Sequence, residues 1–315
     1  MEKLDHGFKK KTITKIIKTK INTWLATIEN EDLKKVIKEN YILTGGAIAS
    51  MLLGELPNDF DIYFKTQDSC LQVANYYLGK VKSSSNLVSQ IEARPVDGHV
   101  RIMIKSAGVI EGEDGLDGYR FFELCPPEEL DKYMDKSILK KKDKYGISLI
   151  STNAISLNDG IQIVTRFVGD PSQIHHNYDF AHTTNYYTER TGLVLNQSAL
   201  EAILTKEIKY IGSLYPVCSM FRLKKFIKRG WTITAGEMLK IAFDISKLDL
   251  SRPEVLREQL VGVDYAYFSQ ILNILNSGSR EIDRTYLAEV INKVFDEVED
   301  GEEDALETII KNEVK

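Results

Sequence analysis

Gly45-Gly46-Ala47-Ile48-Ala49-Ser50-Met51-Leu52-Leu53-Gly54-Glu55-Leu56-Pro57-Asn58-Asp59-Phe60-Asp61-Ile62-Tyr63-Phe64 decides the fold of this 315-residue chain. The apolar triplet Tyr41-Ile42-Leu43 just before it reads as a strand. Two adjacent glycines after a strand permit a tight turn and let backbone N–H groups approach a ligand closely. The apolar run from Ala47 reads as a helix, whose partly positive N-terminus would point back at that turn and suit a triphosphate. Asp59 and Asp61 are two apart on a second strand, so their carboxylates project from one face. Phe60, Ile62 and Phe64 take the other face and belong in a core. Two carboxylates held together repel unless a cation joins them. Magnesium, an oxygen-seeking ion that keeps positions open for phosphates, fits best. Two such ions about 4 Å apart would clamp the attacking and leaving oxygens of an in-line displacement.

The same residues resemble the head of the poly(A) polymerase and CCA-adding branch of the DNA polymerase β-like nucleotidyltransferase superfamily. That branch reads Gly-Gly-x-Val-Arg-Asp-x-Leu-Leu-Gly-x-x-Pro-x-Asp-x-Asp. This chain matches at Gly45, Gly46, Leu52, Leu53, Gly54, Pro57, Asp59 and Asp61, with Ile48 for Val, and departs at Ala49-Ser50, where the branch has Arg-Asp. Ser151-Thr152-Asn153-Ala154-Ile155 is similar to the branch's Thr-Ile-Asn-Ala-Leu element beside the nucleotide. The resemblance implies that Asn153 contacts ribose or phosphate; satisfying its own strand end is the alternative. It also implies a third carboxylate, acting as metal ligand and as base for the attacking hydroxyl. Asp179 in Tyr178-Asp179-Phe180 resembles the aromatic-Asp-Phe triplet of related, often viral, sequences; Asp170 and Glu123 are its rivals. The branch's base-reading Glu-Asp-x-x-Arg element has only a shadow here, Glu254-Val255-Leu256-Arg257.

Composition agrees with a soluble enzyme. Hydrophobic residues make up 43% and charged residues 28%, ordinary values for a globular chain. No apolar run is long enough to span a membrane. Lys9-Lys10-Lys11 is not followed by the uninterrupted apolar stretch of a secretory signal. Cys70, Cys125 and Cys218 are three, widely spaced, which suggests neither a disulfide framework nor zinc and points to a reducing cytosol. His175, His176 and His182 lack zinc-ligand spacing and read as turn and packed residues. The net charge of −5 hides a basic N-terminal segment and an acidic run from Asp296 to Asp304. Both read as solvated helix faces, or as a nucleic-acid contact and its acidic competitor.

Along the chain, Ile13, Ile16, Ile17, Ile21, Trp24 and Leu25 recur at helical spacing. A second helix is expected near Asp32 to Lys38, and a third over Asp68 to Lys80 with Cys70, Val73, Ala74, Tyr77 and Leu78 on one face. Ser83 to Asn86 reads as a loop, His99 to Lys105 as a strand, and Gly108 to Asp117 as a mobile insertion or a hairpin. The lysine-rich stretch Lys136 to Lys144 reads as a solvated helix or an acceptor-backbone contact. Ile147 to Leu157 and Ile161 to Val168 form a hairpin about Asn158-Asp159-Gly160. Leu200, Ile203, Leu204 and Ile208 mark one face of a later helix. Pro216 to Gly230 has a Pro start, a Gly stop and a basic helix between them. On it, Arg222, Lys225 and Arg229 share a face able to reach a triphosphate or acceptor, or to face solvent.

The expected protein is therefore α/β (α+β). N-terminal helices over 1–40 precede a mixed-sheet nucleotidyltransferase head over 41–190, and a helical domain with an acidic tail fills 191–315. The resemblance implies that Gly45, Gly46, Asn153, Arg222, Lys225 and Arg229 hold a nucleoside triphosphate. Asp59, Asp61 and Asp179 would bind two Mg²⁺ and carry catalysis. The expected reaction is transfer of a nucleotidyl group to a hydroxyl, first of all at an RNA (tRNA-like) 3′ end, in the cytoplasm and with no membrane partner. A protein or small-molecule hydroxyl is the second expectation. A non-catalytic binding protein that keeps the head fold is the third. A phage or viral origin is implied by the resemblance.

Overall fold

The structure, a computed structural model, describes residues 7–57, 59–84, 91–105, 119–121, 144–151 and 153–250, with isolated positions between 252 and 292. Helix α1 (Lys10–Ala26) buries Ile13, Ile17, Ile21 and Trp24, the four-residue rhythm of one helix face. Each such side chain contributes about 1.5–3 kcal/mol by leaving water. The Trp24 indole N–H also donates to the Tyr77 hydroxyl at 2.6 Å, joining α1 to α4 (Gln67–Ser84). Helix α2 (Glu31–Asn40) is capped by Asn30, whose side chain accepts from the Leu33 N–H. Such a cap satisfies an orphan donor and is worth about 1 kcal/mol.

Strand β1 (Tyr41–Thr44), helix α3 (Gly46–Leu52) and strand β2 (Phe60–Phe64) follow. A three-stranded sheet comes next, formed by β3 (Ile91–Val96), β4 (His99–Lys105) and β5 (Tyr119–Phe121). Then β6 (Ile147–Ile150), β7 (Ala154–Leu157) and β8 (Ile161–Val168) lead into α5 (Pro171–His175) and a single 3₁₀ turn, Ala181–Thr183. Strands β9 (Tyr186–Thr188) and β10 (Gly192–Val194) complete a seven-stranded sheet of order β10-β9-β1-β2-β8-β7-β6. Its pairings are antiparallel except β2 with β8, which run parallel. The sheet is mixed, as expected. Helix α6 (Gln197–Thr205), strand β11 (Glu207–Ile208), helix α7 (Pro216–Lys228), strand β12 (Thr232–Ile233) and helix α8 (Ala235–Ser246) form the helical remainder.

Both sheet faces are covered. Phe60, Ile62 and Phe64 share one core with α1, α2 and α4. The opposite face carries a smaller cluster of Ile42, Tyr63 and Ile174, flanked by Val164, Tyr178 and Tyr186. A third core joins Ala49 of α3 to Phe180, Ile203, Tyr210, Leu223, Trp231 and Ile241. At the edge of β2, the Lys20 ammonium of α1 lies 3.2 Å from the Asp159 carboxylate and 5.2 Å from the Phe60 ring centroid. The next residue of that turn, Gly160, accepts a hydrogen bond from the Phe60 N–H at 2.8 Å. Helix α1 is thus tied to the turn that sets the start of β2.

Three local expectations change. The run 147–157 is two strands, because Ser151 turns the chain: its hydroxyl accepts from the Ala154 N–H at 3.0 Å. The Asn-Asp-Gly hairpin is therefore β7 with β8, and β6 is an added strand. Helix α4 continues through Ser84, past the expected loop start. Leu204 is 84% exposed, because the buried face of α6 is Ala199, Ala202 and Ile203, while Ile208 belongs to β11 beyond a left-handed cap at Lys206. Its apparent helical face had mixed two elements. Glu123, Cys125, the 108–117 insertion and the acidic run lie outside the described residues, as does the lysine-rich stretch except Lys144.

Candidate active site

The turn between β1 and α3 meets the start of β2. Gly45 has φ +102° and ψ −158°, a region open in practice only to glycine. A β-carbon there would stand 2.6 Å from Asp61 Oδ2. The Asp61 carboxylate therefore lies over the glycine backbone, and both conformation and space demand glycine. Register explains the approach: Thr44 is the cross-strand partner of Asp61. Asp61 is half-buried, and Asp59, one residue before β2, is exposed. Gly46 opens α3, and a β-carbon there would meet nothing within 4 Å.

The segment after α5 braces this turn from behind. The Gly45 N–H donates to the Thr183 carbonyl at 3.1 Å. The Thr44 hydroxyl donates to the Asn185 carbonyl at 2.9 Å and lies 2.8 Å from His175 Nε2. The Thr44 hydroxyl thus links the His175 ring of α5 to the Asn185 carbonyl. Burial pushes His175 down to about 4.

Asp179 lies in the bend after α5, beside the bridge that pairs Phe180 with Tyr210. It is 6% exposed. Its carboxylate accepts from Arg222 of α7 and, at 3.0 Å, from the Ser213 hydroxyl. Asp61, Arg222 and Asp179 all act electrostatically on the Tyr63 hydroxyl, which burial, more than these charges, raises far above its usual value. Asp61 and the Asp179–Arg222 pair thus border one buried tyrosine. Asp170, a rival third carboxylate, caps α5 by accepting from the Ser172 and Gln173 N–H groups. The strand beside β2 supplies no carboxylate: Gln162 of β8 is the partner of Asp61. Among the described residues, no group of three or more His, Cys, Asp or Glu is placed to hold a metal.

The basic face of α7 turns toward the head. Arg222 binds Asp179, and Arg229, two turns on, binds Glu55 and reaches the Ser50 hydroxyl at 3.3 Å. Ser50 is one of the two residues, Ala49-Ser50, at which this chain departs from the Arg-Asp pattern, and Glu55 follows five residues later. Lys225 lies between the two arginines and is half-buried. Asn153 precedes β7, two strands from β2, and its carbonyl accepts from the Thr165 N–H at 2.8 Å. Sequence reasoning missed Ser213 and Glu55, whose roles depend on contacts 34 and 174 residues away.

His182 is buried among aromatic rings: Phe226 and Trp231 at 4.4 Å and Phe180 at 5.8 Å. Neither ring nitrogen has a hydrogen-bond partner among the described residues. Burial, then the Arg229 charge, pushes His182 down to about 3. The unfolded chain therefore takes up protons on His182 and His175 before the folded one does. Stability is full above about pH 6.5 and falls as pH drops toward 4 and then 3, by up to about 1.4 kcal/mol per pH unit for each ring. His182→Phe is expected to flatten the fall of Tm between pH 6.5 and 5. An unchanged pH slope in that variant would refute the assignment.

Residues 15–206, more than half of the chain, match the family described as Gad2: Gabija anti-defense 2 family protein. Among solved structures, the chain is similar to the Thermotoga maritima CCA-adding enzyme complexed with tRNA, at 12% identity and TM-score 0.37 over 81% of this chain and 53% of that one. The Bacillus stearothermophilus CCA-adding enzyme in complex with CTP matches at 13% identity and TM-score 0.35, over 77% and 50%. A CCA-adding enzyme complexed with ATP matches at 14% identity and TM-score 0.38, over 89% and 65%. The chain spans about half the length of the first two, and likeness at these scores carries no argument about activity. No curated protein matches it in sequence.

Proposed function

We propose, for a chain that belongs to the Gabija anti-defense 2 family, that it is a nucleotidyltransferase moving a nucleoside monophosphate from an NTP to an acceptor hydroxyl. One observation carries this reading: the glycine-only Gly45 turn holds the carboxylate of Asp61 against it, with Asp59 two residues away. The start of helix α3 and the Asp-x-Asp segment thereby adjoin. The donors offered there are oxygens only, which fits Mg²⁺. Asp59 and Asp61 would hold it, and a bound cation would supply charge neutralisation at the reacting phosphate.

The chain's own residues then have separate tasks. The Gly45-Gly46 turn cradles the β- and γ-phosphates. The acceptor oxygen forms a bond to the α-phosphorus, the bond from that phosphorus to the bridging oxygen breaks, and pyrophosphate leaves with the bonding electrons. Asp179 takes the acceptor proton and completes the carboxylate set once Arg222 exchanges it for the triphosphate. Lys225, Arg229 and Asn153 are assigned to the nucleotide side. The first acceptor is an RNA 3′ end, favoured by the basic face of α7. A protein or small-molecule hydroxyl of a host defence system is the second, favoured by the family's anti-defense description, which is also in keeping with a phage protein acting in the host cytoplasm.

Incorporation of labelled NTP, with and without Mg²⁺, against total RNA and total protein tests the reading and separates the acceptors. Asp179→Asn tests the third carboxylate. Transfer is expected to fall about a hundredfold or more and Mn²⁺ affinity to weaken. A variant with lower Tm but undiminished transfer per folded molecule would leave Asp179 only as the anchor of α7.

A further inference from the structure

A second concentration of positive charge lies away from the Gly45 turn, where β3 and β4 meet β8. Arg94 is directly opposite Arg101 in the β3–β4 pairing, and like charges so placed cost stability. The Arg101 Nε–H donates to His99 Nε2 at 3.1 Å, so that imidazole is an acceptor and neutral. Burial, then the charges of Arg101 and Arg166, keeps His99 below its usual range. Strand β8 packs against β4, which brings Arg166 to the same cluster. Its guanidinium lies 4.1 Å from the Tyr215 ring centroid and donates to the Tyr215 hydroxyl. Among the described residues it has no carboxylate partner. Among the described residues, Glu92 pairs with Arg94, and the Asp97 carbonyl lies 3.4 Å from His99 Nδ1.

Position ties this cluster to the candidate site. Gln162, Val164 and Arg166 alternate on one face of β8, and Gln162 is the neighbour of Asp61. Arg166 lies four residues further along β8, where its pairing with β2 shifts register between Ile163 and Val168. Planar guanidinium forks donate two parallel N–H bonds to phosphate oxygens, and several together match a phosphate's charge. Holding Arg166 flat on Tyr215 also lowers the entropy lost on binding.

We propose that Arg94, Arg101 and Arg166, with His99 orienting Arg101, form a phosphate-binding cluster that engages a phosphate beyond the reacting one. It rests on the reading above only for its use; binding itself needs neither metal nor transfer. The phosphate belongs either to a polynucleotide or to a free nucleotide, and the experiment separates these sources. Binding of a fluorescent single-stranded 12-mer RNA and of ATP is measured in EDTA for wild type, Arg101→Gln, Arg166→Gln and the double variant, with circular dichroism verifying each fold. For a polynucleotide, the double variant is expected to weaken RNA binding about tenfold or more. The salt slope should fall by about 0.7 for each lost phosphate contact, with ATP unaffected. For a free nucleotide, ATP affinity falls by a similar factor. RNA and ATP affinities within twofold of wild type in all three variants would overturn the proposal, and so would a polyglutamate peptide that displaces RNA as well as ATP does. Asp59→Asn/Asp61→Asn protein keeps the EDTA binding whether or not it loses transfer, so failure of the transfer reading is distinguishable from failure of this one.

Discussion

Asp59→Ala/Asp61→Ala protein is expected to lose Mg²⁺-dependent incorporation of labelled NTP by about a thousandfold or more, since both oxygen donors for the cation go together. Fold should survive, because Asp59 is exposed and Asp61 only half-buried, while the core of β2 is built by Phe60, Ile62 and Phe64 on the opposite face. Asp59→Asn/Asp61→Asn serves as the control that keeps shape and removes charge. Equal incorporation by wild type and both variants, with every NTP and every acceptor fraction, would end the catalytic reading. What remained would be a binding protein with a retained head fold.

Gly45→Ala is the second large effect. At φ +102° and ψ −158° an L-residue is strained by about 1–3 kcal/mol. The new methyl would also sit 2.6 Å from Asp61 Oδ2, so the carboxylate must move or the turn must open. Both a lower Tm and a loss of transfer greater than tenfold are expected, the latter because positioning errors near 1 Å cost about a hundredfold. Gly46→Ala is the matched comparison. Its β-carbon meets nothing within 4 Å, and alanine in a helical position removes unfolded-state entropy, for a gain of about 0.4–1 kcal/mol. Two neighbouring glycines should therefore respond with opposite signs. Equal responses in Tm and transfer would show that the Gly45–Asp61 contact does not organise the site.

What could be read from the sequence was local. The 3.6-residue rhythm identified α1 and α4 with their buried residues, and Cys70, Val73, Ala74, Tyr77 and Leu78 are all inside. The glycine pair, the short helix and the Asp-x-Asp strand were legible because each rests on neighbours within a few residues. The Asn-Asp-Gly turn was legible for the same reason, with Asp159 and Gly160 both at positive φ. Asp179 shows where this stops. Its neighbours in sequence resembled a triplet that carries a third carboxylate, but its partners are Ser213 and Arg222, brought in by a chain reversal no local pattern announces. The shared face of Arg222 and Arg229 was correctly spaced, yet spacing says nothing of what a face meets, and here it meets Asp179 and Glu55. Leu204 was misread because a helix and a strand only two residues long stood end to end.

The Lys20–Asp159 contact has a consequence for modularity. The strand that carries Asp61 takes its starting position from Gly160, and the turn containing Gly160 is held by a side chain from the first helix. Ile13, Ile17, Ile21 and Trp24 fill the same core as Phe60 and Phe64. A fragment cut at the glycine motif would contain every proposed metal ligand and still lack the wall against which they are aligned. The first helix is therefore part of the instrument that sets the carboxylates, and fusions or shuffled chains that borrow this head need to carry it along.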